Sequence, residues 1–386
     1  MLSKLPISGQ GIFVFKCPYQ PTAACRFQLL DLESLNGLIV EFTQQNVLVS
    51  EIRSIRPCTD PTNKCGLIDH NGAYYWFSID SQNQRLYAGI GEPRIETAIY
   101  SYQYANEKRE ATKKFLESLH YVQFAEPIQK LRIIQDPITQ AIPLAVKDTD
   151  ALTMDDVAMA RYMPIANLPP ICQKLYQCIS GKNFVLDTPD FPDFTQAIEY
   201  SIRTPGKWCY QKLLDKSREF DPDNPNPLET YLRITLGQNN GESPGIPYVM
   251  EIWPVGHYSP IHSHASANAI IRVLNGAIHV SLYPFLCGDK DGVEPFGTAT
   301  FNKGDVAWIT PTLNTTHQLK NLGINSYTCI TIQCYMYDGD SKKHYDYFDY
   351  LDGSGKIQQY EPDSDMDFVQ FKATIREEWK AAQQWI

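Results

Sequence analysis

The stretch PIHSHASANAIIRVLNG, residues 260–276, places His262 and His264 two positions apart at the start of an apolar run that ends at Asn275-Gly276. Residues i and i+2 of a β-strand project from the same face. Both imidazoles can therefore reach one point if a single strand carries them. The whole chain has only eight histidines, so we interpret this pair as part of a metal site.

A third metal ligand is expected from a neighbouring strand. The stretch GDVAWITPTLNTTHQLKN supplies His317 after a turn-rich segment. No carboxylate follows the histidine pair in ASANAIIRVLN. The predicted ligands are therefore three imidazoles, those of His262, His264 and His317.

A ligand set of three imidazoles favours particular substrates. Two histidines and one carboxylate partly neutralise Fe(II) in many oxygenases, whereas three neutral imidazoles leave the ion with its full double charge. An anionic substrate group such as a thiolate would balance that charge. Three histidines also hold catalytic zinc, so the ligand set leaves iron, nickel and zinc open.

Composition restricts the partners and the compartment. The chain has 386 residues, a hydrophobic share of 43% and a formal net charge of −10, which indicate a soluble globular protein that does not bind nucleic acid. Its apolar runs are shorter than the roughly 20 residues that span a bilayer, and its N-terminal residues lack a signal-peptide pattern. We expect a cytoplasmic protein with no membrane partner. Its ten cysteines are expected to be reduced and mostly buried, with a bond between Cys58 and Cys65 as the alternative.

The first part of the chain has the pattern of an all-β domain. The segment GLIVEFTQQNVLVSEI predicts two strands and AYYWFSID predicts another. Residues 105–120 then predict one amphipathic helix. We assign residues 1–150 to a β-sandwich accessory domain.

The second part of the chain begins with helical patterns. We place the domain boundary between about residues 145 and 168. The segments ICQKLYQCISG and FTQAIEYSIR have helical spacing, and strand patterns then dominate to about residue 337. The chain is thus predicted to be mainly β, with a second domain over residues 160–386 in which a few helices precede a long β-region.

An aromatic segment of the first domain carries a family resemblance. YYWFSIDSQNQRLYAGIGE, residues 74–92, resembles the lectin-like sandwich domain called farnesoic acid O-methyltransferase-like. The resemblance covers about the first hundred residues and implies a jelly-roll sandwich. We interpret the aromatic run as strand core, with a face that binds a glycan or a protein partner as the alternative.

The histidine spacing resembles the two motifs of the cupin family of small β-barrels. The first cupin motif runs from a glycine through His-x-His to a later glycine, and the second carries one more histidine. The matching residues are Gly256, His262, His264 and Gly276 in the first motif and Gly304, Asp305, His317 and Asn321 in the second. The glutamate of the first motif is absent. The resemblance implies a cupin β-barrel for the second domain.

More of the second domain, from about residue 168 to residue 353, resembles the thiol dioxygenases, with cysteine dioxygenase as the nearest member. In that family a Tyr-x-Arg strand precedes the histidine motif, and ETYLRITLGQNNG supplies Tyr231 and Arg233. The resemblance implies one Fe(II) per chain, held by the three histidines. It also implies that Arg233, with Tyr231, binds the substrate carboxylate through the fork geometry of a guanidinium.

The segment TCITIQCYMYDGD resembles the Ser-x-His-x-Tyr strand of the same family. Tyr335 takes the position of the tyrosine, which implies an acid or hydrogen-bond donor that reaches substrate and oxygen. Thr331 takes the serine position and Gln333 the histidine position. Gln333 departs from the family, because an amide can hold the tyrosine in place but cannot relay a proton. Ala269 takes the position of the cysteine that is crosslinked to the tyrosine in animal cysteine dioxygenases, so no crosslink can form through it.

These resemblances imply an enzyme that adds both atoms of O2 to the sulfur of a small carboxylated thiol and releases a sulfinate. L-Cysteine is the first expected substrate because Arg233 is present, and 3-mercaptopropionate comes next. An amine-only thiol such as cysteamine would leave Arg233 without a partner. The alternatives are another three-histidine cupin enzyme, such as a lyase or a dioxygenase acting at carbon, and a non-catalytic, metal-containing cupin that binds a metabolite.

Overall fold

The protein divides into two compact units, Met1–Ile142 and Pro143–Ile386. The structure is a computed structural model. It describes residues 2–384 apart from residues 18–23, 34–35, 54–56, 64, 69–72, 126–127, 129, 238–246, 265, 289–293, 325 and 338–347. Among the described residues, no helix has both the length and the apolar character needed to cross a bilayer.

The first unit contains two five-stranded sheets. Their strand orders are β1-β9-β3-β4-β5 and β10-β2-β6-β7-β8. The elements are β1 Leu2–Lys4, β2 Gln10–Lys16, β3 Cys25–Asp31, β4 Asn36–Phe42, β5 Val47–Glu51, β6 Tyr75–Asp80, β7 Arg85–Ile90, β8 Ala98–Gln103, α1 Arg109–Glu117, β9 Tyr121–Phe124 and β10 Lys130–Ile134.

Phenylalanine rings join the two sheets of the first unit. Phe15 of β2 meets Phe27 of β3 with ring centroids 5.5 Å apart, and Phe27 meets Phe77 of β6 at 5.6 Å. β3 belongs to one sheet, while β2 and β6 belong to the other. All three rings are fully buried. These edge-to-face contacts form the core of a β-sandwich, the architecture that the alternating strand pattern predicts.

The aromatic run of the first unit is buried on both faces of β6: Tyr75 and Phe77 contact the phenylalanine core, whereas Trp76 packs in a second cluster with Val14. Tyr75, Trp76 and Phe77 of β6 are all buried. Burial of large aromatic side chains contributes strongly to core stability. The strand-core interpretation is therefore confirmed for these three side chains.

The cysteines are reduced. All ten are free thiols, and seven of them are buried. Cys58 and Cys65 are not bonded to each other; the Cys58 thiol instead lies 3.5 Å from the Tyr104 hydroxyl. The expectation of reduced, mostly buried thiols is confirmed.

Among the described residues of the second unit, four α-helices and two short strands precede the main β-region, and one more α-helix follows it. The elements are β11 Ala145–Lys147, α2 Met154–Ala158, β12 Met163–Pro164, α3 Pro170–Ile179, α4 Phe194–Arg203, α5 Trp208–Asp215, β13 Leu232–Leu236, β14 Tyr248–Trp253, β15 His262–Ser263, β16 Ala267–Asn275, β17 Ala277–Leu282, β18 Gly297–Asn302, β19 Val306–Ile309, β20 Thr316–Lys320, β21 Cys329–Tyr337, β22 Phe348–Leu351, β23 Ile357–Tyr360, β24 Met366–Asp367 and α6 Phe368–Gln383.

The strands of the second unit form two sheets around one core. The eight-stranded sheet has the order β12-β11-β19-β16-β21-β14-β13-β24, and the six-stranded sheet has the order β18-β17-β20-β15-β22-β23. Trp253 and Val273 of the larger sheet share a buried cluster with Ile278 and Phe301 of the smaller one. The mainly β fold class, with helices before the main β-region, is confirmed; the strands lie in two sheets that enclose the core between them.

The stretch of residues 260–276 is divided between the two sheets, which corrects its interpretation as one strand. β15 ends at Ser263 and pairs with β20 and β22, whereas β16 begins at Ala267 and pairs with β19 and β21. The chain crosses from the smaller to the larger sheet directly after the histidine pair. His264 nevertheless stays aligned with β20, because its N–H donates to the Thr315 carbonyl at 3.1 Å.

The second unit begins earlier in the chain than residue 160. β11 pairs with β12 and with β19, so residues placed at the end of the predicted accessory domain belong to the larger sheet. The segment AIPLAVKD, residues 141–148, predicts a strand, and β11 lies within it; its strand pattern did not indicate which unit it belongs to. Helix α6, which follows all the strands, was also missed by the sequence patterns.

Gly276, between β16 and β17, has a backbone conformation that makes substitution costly. Its φ is +69°, and a Cβ at this position would lie 2.8 Å from the Thr328 carbonyl oxygen. We expect Gly276→Ala to lower the free energy of unfolding by about 2 kcal/mol, because a side chain is strained in the left-handed region. Urea unfolding followed by tryptophan fluorescence measures this change, since every tryptophan except Trp76 lies in the second unit.

Gly297→Ala in β18 is the matched control. A Cβ there would meet nothing within 4 Å, so its free energy of unfolding should stay within about 0.5 kcal/mol of the parent value. Equal stabilities for the two variants would contradict the role assigned to Gly276.

Candidate metal centre

The three predicted ligands come together where β15 pairs with β20. His262 is the direct cross-strand partner of His317, and His264 follows the end of β15. One ring nitrogen from each imidazole lies within 4.8 Å of the others. The Nε2 atoms of His262 and His264 are 3.1 Å apart. Two ligands at right angles on an ion, with bonds of about 2.1 Å, lie about 3 Å apart, so the cluster fits a divalent metal.

Backbone carbonyls orient two of the imidazoles. His262 Nδ1 donates to the Pro260 carbonyl at 3.0 Å, and His317 Nδ1 donates to the Asn314 carbonyl at 3.0 Å. A proton on Nδ1 leaves the Nε2 lone pair available for a metal. Asn314 presents its carbonyl with φ at +59°, a conformation that asparagine tolerates better than most residues. Pro260 and Asn314 were missed by sequence reasoning because they act through their backbones.

Burial keeps the imidazoles in the neutral form that binds metals. Desolvation lowers the pKa of His262 to about 4 and the pKa of His317 to about 3. It also lowers the pKa of His264 well below its ordinary value, and the two neighbouring imidazoles add to this effect. At pH 7 the three imidazoles are therefore neutral, the form that binds a metal.

Tyr335 lies against this cluster on β21. Its ring stacks on the His264 imidazole with centroids 5.9 Å apart and planes 18° apart. Burial raises the pKa of Tyr335, and the Glu251 carboxylate raises it further, so the hydroxyl keeps its proton. Ala269 of β16 is its direct cross-strand partner. Ala269, which the family resemblance places opposite the tyrosine, therefore faces Tyr335. Its side chain is a methyl group.

A row of polar residues crosses the larger sheet beside Tyr335. Arg233 of β13 pairs in register with Glu251 of β14, and Glu251 pairs with Thr331 of β21. Thr331, Gln333 and Tyr335 occupy alternate positions of β21 and therefore share one face. All five side chains are buried. The predicted residues of β13 and β21 are thus brought together by the strand register.

Glu251 is a site residue that sequence reasoning missed. Its Oε1 accepts a hydrogen bond from Arg233 Nη1 at 2.8 Å, with Arg233 only 1% and Glu251 5% exposed. Burial raises the pKa of Glu251, while Arg233 and a hydrogen bond with Gln333 act in the opposite direction. The close guanidinium contact favours the ionised carboxylate. The sequence did contain a signal for this residue, because Glu251 is the one charged residue in the otherwise uncharged strand YVMEIW.

Arg233 also contacts the predicted tyrosine. Its guanidinium carbon lies 5.9 Å from the ring centre of Tyr335, and a hydrogen bond links the two side chains. The Arg233 backbone N–H donates to Asp365 Oδ2 at 2.7 Å, which fixes the strand that carries it. The guanidinium thus holds both Glu251 and Tyr335, and a substrate carboxylate would have to compete with Glu251 for it.

One cavity of about 70 Å³ between the two sheets connects these groups. Its polar wall contains the three histidines, Glu251, Thr331, Gln333, Tyr231 and Tyr335. Much of the remaining wall is apolar and includes Val273, Ile278 and Phe348. Among the described residues that line the cavity, Glu251 is present and Arg233 is not. A ligand in the cavity therefore meets the carboxylate, with the guanidinium behind it.

Aromatic contacts position Tyr231 beside the cavity. Its ring stacks on Trp253 with centroids 4.2 Å apart. Both belong to the hydrophobic cluster between the sheets. Tyr231 lines the cavity, and the Lys216 ammonium lies 5.6 Å from its ring centre.

The fold has counterparts among solved structures at low similarity, and no family model matches the chain. A Klebsiella pneumoniae protein with a double-stranded beta-helix domain is 15% identical over 31% of this chain and 83% of its own, with a TM-score of 0.21. The cupin domain of Schizosaccharomyces pombe Cnp3 is 16% identical over 28% of this chain and 65% of its own, with a TM-score of 0.22. An oxalate oxidase bound to glycolate is 16% identical over 29% of this chain and 54% of its own, also at 0.22. These scores are too low to indicate an activity for this chain.

We expect His317→Ala to abolish stoichiometric metal binding, because it removes one of three converging imidazoles. The metal content of purified protein after loading with Fe(II) under anaerobic conditions and desalting measures this loss. The matched control is His279→Ala, because His279 is bonded to Thr300 on β18 and lies outside the cluster. Metal retained by His317→Ala at the level of the control would rule out the three-histidine site.

Proposed function

We propose that the second unit is a mononuclear non-haem Fe(II) dioxygenase that converts a small thiol and O2 into the sulfinic acid. The observation that carries the proposal is the cluster of three neutral imidazoles, of which His264 and His317 are buried and His262 is half-buried, with no carboxylate ligand among the described residues, next to a protonated tyrosine. A divalent ion held by neutral ligands keeps its charge for an anionic substrate group. A thiolate satisfies that requirement in a cavity of this size.

The reaction balances without a further reductant. R–SH and O2 give R–SO2H, and the sulfur supplies the four electrons that O2 accepts. When bound, Fe(II) would supply the positive charge that stabilises the thiolate and the redox partner that O2 needs. The largely apolar wall of the cavity limits the water around the reacting groups.

Tyr335 is proposed to act as a hydrogen-bond donor to the substrate and oxygen. Its raised pKa retains the proton, and the hydrogen bond with Arg233 fixes the direction of the hydroxyl. Stacking on His264 places the ring beside a metal ligand. A donor that is already oriented costs little reorganisation when charge develops during the reaction.

Oxygen uptake by the Fe(II)-loaded protein tests the proposed activity. We expect uptake with at least one of L-cysteine, 3-mercaptopropionate and cysteamine, matched by an equal amount of sulfinate. The metal-depleted His317→Ala variant should show none, and His279→Ala should keep the parent rate. Full iron occupancy without oxygen uptake would favour a non-catalytic cupin that binds a metabolite.

Tyr335→Phe should keep its iron and lose turnover by about 100-fold, the scale of a lost proton donor. Iron content and the rate of sulfinate formation are the two measurements. Tyr248→Phe is the control, since that ring packs on Phe184 with centroids 6.1 Å apart and does not line the cavity. Parent-like turnover by Tyr335→Phe would show that the Tyr335 hydroxyl takes no part in the reaction.

A further inference from the structure

The charge of Arg233 is already balanced inside the protein. Arg233 Nη1 and Glu251 Oε1 are 2.8 Å apart, and both side chains are removed from bulk water. A buried guanidinium with a carboxylate partner has little need of a second anion. Binding a carboxylated substrate would require Glu251 to leave Arg233 or would place two carboxylates side by side.

The wall of the cavity near this pair offers hydrogen-bond acceptors. Glu251 lines the cavity, and its contact with the Arg233 guanidinium favours the ionised carboxylate. Thr331, its register partner on β21, also lines the cavity, and its Oγ1 is buried with no hydrogen-bond partner. A buried hydroxyl without a partner in a cavity wall indicates a polar group supplied by a ligand. Glu251 and Thr331 together can accept two of the three hydrogen bonds that an ammonium group donates.

Beyond the histidine cluster, the described wall of the cavity offers no cationic side chain to a carboxylate. Among the lining residues that the structure describes, there is no lysine or arginine. The surfaces beyond the polar row are apolar side chains such as Val273 and Ile278. An unpaired carboxylate buried against them would lose its hydration without a compensating charge.

On this basis we propose that Glu251 selects the substrate, and that the substrate is an aminothiol without a carboxylate, of the cysteamine class. The proposal rests on the proposed function of the metal site, where the sulfur binds. The ammonium group is held by Glu251 with Thr331, and Arg233 fixes Glu251 in place. This reverses the substrate order that the resemblance to cysteine dioxygenase implies for Arg233.

Anaerobic titration of the Co(II)-loaded protein tests the proposal without any turnover. Thiolate binding to Co(II) produces a charge-transfer absorption band, which gives a dissociation constant for each thiol. The probes are cysteamine, the neutral 2-mercaptoethanol, 3-mercaptopropionate and L-cysteine. We expect cysteamine to bind about tenfold more tightly than each of the others, the effect of one charge-assisted hydrogen bond.

Glu251→Gln should remove the preference for cysteamine and leave the dissociation constant of 2-mercaptoethanol unchanged. Because this variant leaves a buried guanidinium without its carboxylate, the double variant Arg233→Gln with Glu251→Gln is the second test, as neither side chain is then charged. Both the single and the double variant are expected to lose the preference for cysteamine. Glu199→Gln, which removes a carboxylate paired with Arg203 elsewhere in the second unit, should keep the parent order of affinities.

The outcomes separate this inference from the proposed function. Tighter binding of 3-mercaptopropionate or L-cysteine than of cysteamine, or an unchanged preference in Glu251→Gln, would overturn the selection by Glu251 even if O2 is consumed. The expected order of affinities in the Co(II) protein, without O2 consumption by the Fe(II) protein, would support the selection and contradict the dioxygenase. Absence of the absorption band with every thiol would overturn both.

Discussion

The pairing of β15 with β20 is the constraint on which the three-histidine cluster depends. It sets His262 opposite His317, and the backbone contact between His264 and Thr315 continues that alignment past the end of the strand. A shift of one residue would turn these side chains to the other face of the sheet. Burial then lowers the pKa of each imidazole, so the register that gathers the ligands also produces their neutral form.

The larger sheet contributes a second constraint, the buried pair of Arg233 and Glu251. Such a pair adds little to stability, because desolvation of both charges offsets most of their attraction. The pair instead fixes the geometry of the site, because one guanidinium orients both the carboxylate of Glu251 and the hydroxyl of Tyr335. The described wall of the cavity thus combines the three imidazoles, the Glu251 carboxylate and apolar side chains, which restricts both the charge and the size of a ligand.

The sequence predicts the parts of this site that depend on local spacing or on a motif. The histidine pair separated by one residue and the alternation of Thr331, Gln333 and Tyr335 are of this kind, and so is the placement of Ala269 opposite Tyr335. Glu251 is different, because its significance depends on β13 and β14 being neighbours and on their register. The crossing between sheets after His264 and the carbonyls of Pro260 and Asn314 depend on backbone paths that residue types do not encode. The mainly β fold class followed from strand patterns, whereas the assignment of β11 to the second unit and the helix α6 were missed.

X-ray absorption spectroscopy of the Fe(II)-loaded protein, before and after anaerobic addition of cysteamine, tests the central claim most directly. The account predicts nitrogen and oxygen neighbours alone before addition, with an imidazole scattering pattern. After addition it predicts one sulfur neighbour at about 2.3 Å, the length of a metal–thiolate bond. An iron spectrum that shows no sulfur neighbour at saturating cysteamine would contradict the claim that the thiol binds at the three-histidine site.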